Sequence, residues 1–160
     1  MSIVRISNVA VAHPPGRISQ AESAHRIGEY AGQPRRVAAI ARGTGIEQRA
    51  IAIPPDDLVR LGRSGERNDV YRAVAPGLAL QAAGEALGCA PRDGVAALVT
   101  SSCTGYMAPS LAVRLSSDLG LPARSPRLPV TEAGCAGGVV ALAAAADHLR
   151  ARGGRSARVA

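Results

Sequence analysis

The 160-residue chain contains no lysine, tryptophan or phenylalanine, and only three tyrosines. Any core therefore has to be built from Ala, Val, Leu and Ile. The 19 basic residues are all arginine and face 12 acidic ones, a formal net charge of +7. That balance suits an anionic partner or plain solubility. The arginines are scattered, with Arg35–Arg36 the one adjacent pair. No basic run is interleaved with aromatics, so a nucleic-acid surface is not expected. Cysteine is scarce: Cys89, Cys103 and Cys135 make an odd count without metal-ligand spacing. This argues against a disulfide framework and a metal site, and fits a reduced, cytoplasmic setting. No apolar run nears the roughly 18 residues of a membrane span. Residues 1–12 alternate and carry Arg5 where a signal peptide would have an apolar centre. With 47% hydrophobic and 19% charged residues, the composition is globular rather than disordered. The length suits one domain, residues 1–160, or part of a larger fold.

Ile3, Val4, Ile6, Val9 and Val11 read as an opening strand, ended by His13-Pro14-Pro15-Gly16. Ser19 with Glu22 is a capping box and predicts a helix over 20–30. Pro34 opens a second helix over 35–42, which Gly43 ends. A strand follows over 47–53, then a polar loop with a little helix over 56–68. Residues 69–87 have helical spacing, with Val70, Val74, Leu78, Ala82 and Leu87 near one face and a kink or a start at Pro76. The apolar run 95–100 predicts a strand buried on both faces. A loop over 101–109 leads to a helix over 110–119, ended by Gly120. Strands are expected again at 127–131 and 155–160. Strands alternating with helices imply an α/β layer fold with a largely parallel sheet.

The chemistry concentrates in Thr131-Glu132-Ala133-Gly134-Cys135-Ala136-Gly137-Gly138. A strand leads in, a glycine-rich turn follows, and a helix starts almost on top of the thiol. Orphan N–H groups and the helix dipole favour an anion there, and a thiolate is one. Cys135 is the candidate nucleophile. The plainer reading is a small buried hydrophobe; a third is a thiol redox protein using Cys103 and Cys135. Glu132 is a near neighbour of the wrong charge, since a carboxylate would raise a thiol pKa. His148 lies 13 residues on along the same helix, about 20 Å away at 1.5 Å per residue. His13 precedes a turn and His25 sits on a capped surface helix, so no histidine is a ready base. Residues 139–146 are apolar on every side, which predicts a helix buried all round. One sheet covers one side only, so a partner chain or further sequence is expected to supply a second layer.

Gly134-Cys135-Ala136-Gly137-Gly138 and its small-residue helix resemble the active-site cysteine segment of type III polyketide synthases, the chalcone synthase-like enzymes. The run Val99-Thr100-Ser101-Ser102-Cys103-Thr104-Gly105-Tyr106-Met107-Ala108-Pro109-Ser110 resembles their loop ahead of the cysteine. Gly45-Ile46-Glu47-Gln48-Arg49 is similar to a segment of the wider thiolase-like condensing enzymes. The resemblance implies the N-terminal half of a thiolase-like α/β fold, with a mixed or parallel sheet and a buried central helix. It implies that Cys135 takes an acyl group from a CoA thioester. Malonyl-CoA is then decarboxylated, and its carbanion attacks the enzyme thioester.

By the same resemblance, Cys103 and Thr104 match positions lining the acyl pocket. Met107 or Ala108 falls near the loop that reaches a neighbouring subunit's cavity, and arginines such as Arg49 could meet CoA phosphates. The implied substrates are acyl-CoA and malonyl-CoA, with no permanently bound cofactor, no metal, no nucleic acid and no membrane. The implied assembly is a homodimer, or a pairing with a C-terminal half. The family's His and Asn belong to that second half, and the family chain is more than twice this long. Two expectations follow: an acyl-accepting polyketide synthase segment, or an inactive remnant or non-catalytic partner.

Overall fold

The computed structural model describes residues 3–152 and 158–159. The chain divides into two compact bodies, one of residues 13–66 and one of residues 1–12 with 67–160. In the first, β1 (Gly16–Ser19) and β2 (Gln48–Ile51) form an antiparallel hairpin-like pair, with Gly16 opposite Ile51 and Ser19 opposite Gln48. Between them run α1 (Gln20–Tyr30) and α2 (Pro34–Gly43). Ser19 caps α1 by accepting the Glu22 N–H at 3.1 Å, as the capping box predicts. Gly28 lets the two helices close up: a Cβ there would lie 2.7 Å from the Pro34 Cα. A short α3 (Pro55–Arg60) follows.

The second body is built on β3 (Val95–Ser101). It is the middle strand of a parallel sheet ordered β4-β3-β5, with β4 Arg127–Val130 and β5 Arg158–Val159. The remainder of the strand expected at 155–160 lies outside the described residues. Val95, Ala97 and Leu98 are buried, as a strand covered on both faces requires. Around Val95 and Leu98 pack Leu87 at the end of α4 (Ser64–Leu87), Ala112 and Leu115 of α5 (Leu111–Asp118), and Leu119 and Leu121 beyond it. Ser125 ties the next loop to the sheet, its hydroxyl donating to the Val95 carbonyl at 2.8 Å in a buried setting. Last comes α6 (Gly137–Ala151), which packs on β3.

Several expectations change. The alternating segment from Ile3 to Val11 pairs with no strand; Ile3, Ile6, Val9 and Val11 stand exposed. Alternation favours extended backbone, but a strand also needs ladder hydrogen bonds to a neighbour, and this segment makes none with β3, whose two sides are taken by β4 and β5. The residues 56–68 hold more helix than expected, because α4 already starts at Ser64. It runs unbroken through Pro76, which is buried. The inward face of α4 is Ala79, Leu80, Ala83 and Leu87 rather than the stripe led by Val70 and Val74. The helix α6 keeps an uncovered face, the side for which a second layer is expected. Gly137 is buried, but Val139 is 73% and Leu142 58% exposed, because a single sheet occupies one face.

Two buried serines should behave in opposite ways. Ser125→Ala removes a satisfied buried hydrogen bond and is expected to cost about 1–2 kcal/mol in urea unfolding. The Ser116 hydroxyl is buried with no partner among the described residues. Ser116→Ala is therefore expected to be neutral or to stabilise by up to about 1 kcal/mol. At the contact between α6 and β3, a Cβ on Gly137 would overlap the Ser101 hydroxyl yet sit 3.7 Å from the Ser101 Cβ. Gly137→Ala should thus destabilise, and adding Ser101→Ala should recover most of the loss in a double-mutant cycle.

Candidate active site

Parallel pairing fixes where the chemistry gathers. Ser101 at the end of β3 lies opposite Val130 at the end of β4. One residue further, the Ser102 N–H donates to the Val130 carbonyl at 3.0 Å. The chain leaves both strands at the same edge of the sheet. The segment after β3 carries Cys103, and the segment after β4 carries Cys135.

Each segment is held by local chemistry. After β4, Gly134 takes φ +54°, in the left-handed region that favours glycine. A short 3-10 turn, Gly134–Ala136, then runs into α6. Cys135 sits inside that turn, directly ahead of the helix. Ala136 caps α6 with no side-chain hydrogen bond, whereas Ser19 and Ser110 cap α1 and α5 with their hydroxyls. No side chain therefore competes for the positive end of the helix dipole beside the thiol. After β3, the Ser102 hydroxyl donates to the Gly105 carbonyl at 2.5 Å. The Tyr106 N–H donates to Asn68 Oδ1 at 2.9 Å. The Tyr71 ring lies flat in the space a Gly105 side chain would need.

The two thiols meet. Cys103 and Cys135 are in side-chain hydrogen-bonding contact, and the bond pushes the Cys103 thiol above its ordinary pKa. Negative charge on Cys135 pushes the same way, and desolvation adds a smaller contribution. The proton is thereby kept on Cys103. Both cysteines, and Cys89, are exposed, so the reading of Cys135 as a small buried hydrophobe is set aside. Thr104 and Ala108 are exposed positions of the Cys103 loop, and Met107 is half-buried. His148 is on α6 with its Nε2 buried and without a partner among the described residues. His13 and His25 belong to the other body. Arg49, considered for CoA phosphates, donates through Nε to Gln20 Oε1 at 2.7 Å.

Asn68 and Tyr71 were invisible to sequence reasoning. They lie some 35 residues before the loop they hold, on a polar stretch without a motif. The glycine at 105 is the one hint, since a glycine inside a loop can mark a close approach. The other body carries a separate hollow of about 650 Å³, with Gln20, His25, Arg35, Arg42 and Ile46 among its lining residues. Among the described residues, no cluster of three or more His, Cys, Asp or Glu could hold a metal ion. No described helix is long and apolar enough to cross a membrane.

No family model matches the chain. Individual proteins do. The chain is 33% identical over 157 residues to 1,3,6,8-tetrahydroxynaphthalene synthase of Streptomyces peucetius subsp. caesius, covering 92% of this chain and 41% of that protein. It is 31% identical over 146 residues to phloroglucinol synthase of Pseudomonas fluorescens Pf-5, covering 88% and 42%. Among solved structures it superposes on the 1,3,6,8-tetrahydroxynaphthalene synthase of Streptomyces coelicolor A3(2), a bacterial type III polyketide synthase. That match has a TM-score of 0.76 at 25% identity, covering 91% of this chain and 44% of that one. The chain thus spans about two fifths of the length of the relatives it matches. In sequence and in fold, the chain is a homologue of the N-terminal part of type III polyketide synthases, within the thiolase-like condensing enzymes.

Proposed function

We propose that this chain supplies the acyl-accepting half of a polyketide synthase site, with Cys135 as the nucleophile. The observation that carries the reading is the exposed Cys135 sulfur in a glycine-built turn at the uncapped start of α6, in contact with Cys103. The Cys135 sulfur attacks the carbonyl of an acyl-CoA thioester. The tetrahedral oxyanion collapses, CoA leaves as its thiolate, and the acyl group stays on Cys135 as a new thioester. Cys103, holding its proton, donates to the attacking sulfur and keeps it single and oriented. Thr104 and Ala108, on the same loop, border the growing acyl chain. Malonyl-CoA serves as extender: loss of carbon dioxide leaves a carbanion that attacks the Cys135 thioester. The decarboxylation and extension need groups beyond the residues assigned here, supplied by a C-terminal half.

Intact-mass and peptide analysis after incubation with a medium-chain acyl-CoA should find a hydroxylamine-labile adduct on Cys135. Cys135→Ala should abolish it, and Cys89→Ser should leave it unchanged. Equal labelling of Cys89 and Cys135 would remove the case for a built acceptor. The thiol pair also predicts a pH dependence. Because its pKa is raised, Cys103 should need a higher pH than an ordinary cysteine for half-maximal iodoacetamide reactivity. In Cys135→Ala both the hydrogen bond and the charge are gone, so that midpoint should fall towards the ordinary thiol range near 8.5. A midpoint that stays put would show that the two sulfurs do not interact.

A further inference from the structure

We propose that Cys103 and Cys135 form a reversible disulfide on exposure to peroxide, a modification that withdraws the Cys135 sulfur from acyl transfer. The Ser102–Val130 hydrogen bond and the seat of Gly137 against Ser101 bring the Cys103 loop and the Cys135 turn side by side, so the two thiols are already an encounter pair. Both are exposed, so an oxidant can reach them. Neither sits inside a strand: Cys103 is on the loop after β3 and Cys135 in the 3-10 turn after β4. Loop-borne sulfurs can reach the roughly 90° dihedral of a disulfide with the sheet left in place. Bridging the ends of two adjacent parallel strands adds a link where the Ser102–Val130 hydrogen bond already holds the chain together.

The chemistry balances in two steps. The Cys135 thiolate attacks hydrogen peroxide, the O–O bond breaks, and hydroxide leaves, giving a Cys135 sulfenic acid; sulfur gives up two electrons and peroxide takes them. The Cys103 sulfur then attacks the Cys135 sulfur, the S–O bond breaks, and the Cys103 proton leaves with the hydroxyl as water. The contact times the second step. What holds the proton on Cys103 is the hydrogen bond to Cys135 and the charge there. A sulfenic acid carries no such charge, so oxidation of Cys135 releases Cys103 to ionise and attack. Cys103 is then a resolving cysteine, and its presence diverts Cys135 from irreversible sulfinic acid.

The test treats the whole chain with hydrogen peroxide, blocks free thiols, and maps peptides by mass spectrometry. The expected product lacks two hydrogens, joins the Cys103 and Cys135 peptides, and reverts with dithiothreitol. Cys89→Ser should give the same product. Cys103→Ser and Cys103→Ala should lose it and carry Cys135 to sulfinic acid several-fold faster. Linkage through Cys89, or sulfinic acid on Cys135 at one rate with and without Cys103, would overturn the proposal. The readout is the pairing of sulfurs, so it is decided independently of whether Cys135 accepts an acyl group. The mapping of the unaltered chain also needs no variant to fold.

Discussion

The parallel pairing of β3 with β4 is the constraint on which the site depends. Parallel neighbours leave the sheet at the same edge, so the segments that follow them become neighbours in space although separated by more than twenty residues of helix and loop. The register sets the rest. Ser101 opposite Val130 puts Cys103 two residues past the edge and Cys135 five residues past it, the last two of them turning within a glycine elbow. A slip of one residue would turn every side chain of β3 to the other face. Val95 and Leu98 would exchange faces, their packing against Leu87, Leu115 and Leu119 would be lost, and the two sulfurs would part. The buried Val95–Leu98 cluster and the Ser125 bond to the Val95 carbonyl therefore hold the site indirectly, by fixing the strand from which it hangs.

Much of this was legible in the sequence where a local rule is strong. The Ser19 cap, Pro34 at the start of α2 and Gly120 after α5 all mark element ends by chemistry that acts within a few residues. The strand-turn-helix around Cys135 was legible for the same reason. What escaped is non-local. Nothing in the alternation of Ile3 to Val11 says whether an edge is free to receive it. Nothing near Asn68 or Tyr71 says that a loop beyond residue 100 will lean on them. A helix start at Pro76 was not required, because proline lacks one donor but does not forbid a helix that is held by the packing of Ala79, Ala83 and Leu87.

The composition fits the architecture. In the absence of Phe and Trp, α6 meets β3 through small side chains, and Gly137 comes so close to Ser101 that a methyl group would collide with the hydroxyl. Such contact needs glycine for space, and Gly134 needs it for backbone conformation; the two glycines flank Cys135 for different reasons. The outward face of α6 is still apolar, with Val139, Val140 and Leu142 exposed. A helix of this composition suits a layer covered on both sides, and the relatives that the chain matches are about two and a half times its length.

The two proposals made for Cys135 draw on one contact and exclude each other at the level of single molecules. A sulfur that carries an acyl group has no lone charge to attack peroxide, and a sulfur bonded to Cys103 cannot attack a CoA thioester. Substrate and oxidant therefore compete for the same atom, with Cys103 facing both outcomes. While Cys135 is charged, Cys103 keeps its proton and serves as a hydrogen-bond donor. Once Cys135 is oxidised that charge is gone and the donor becomes a nucleophile. Acylation also removes the charge, but a thioester sulfur offers Cys103 no leaving hydroxyl, only an acyl carbon. The state of one sulfur thus dictates the role of the other, and a serine at 103 could donate the hydrogen bond but not close the bridge.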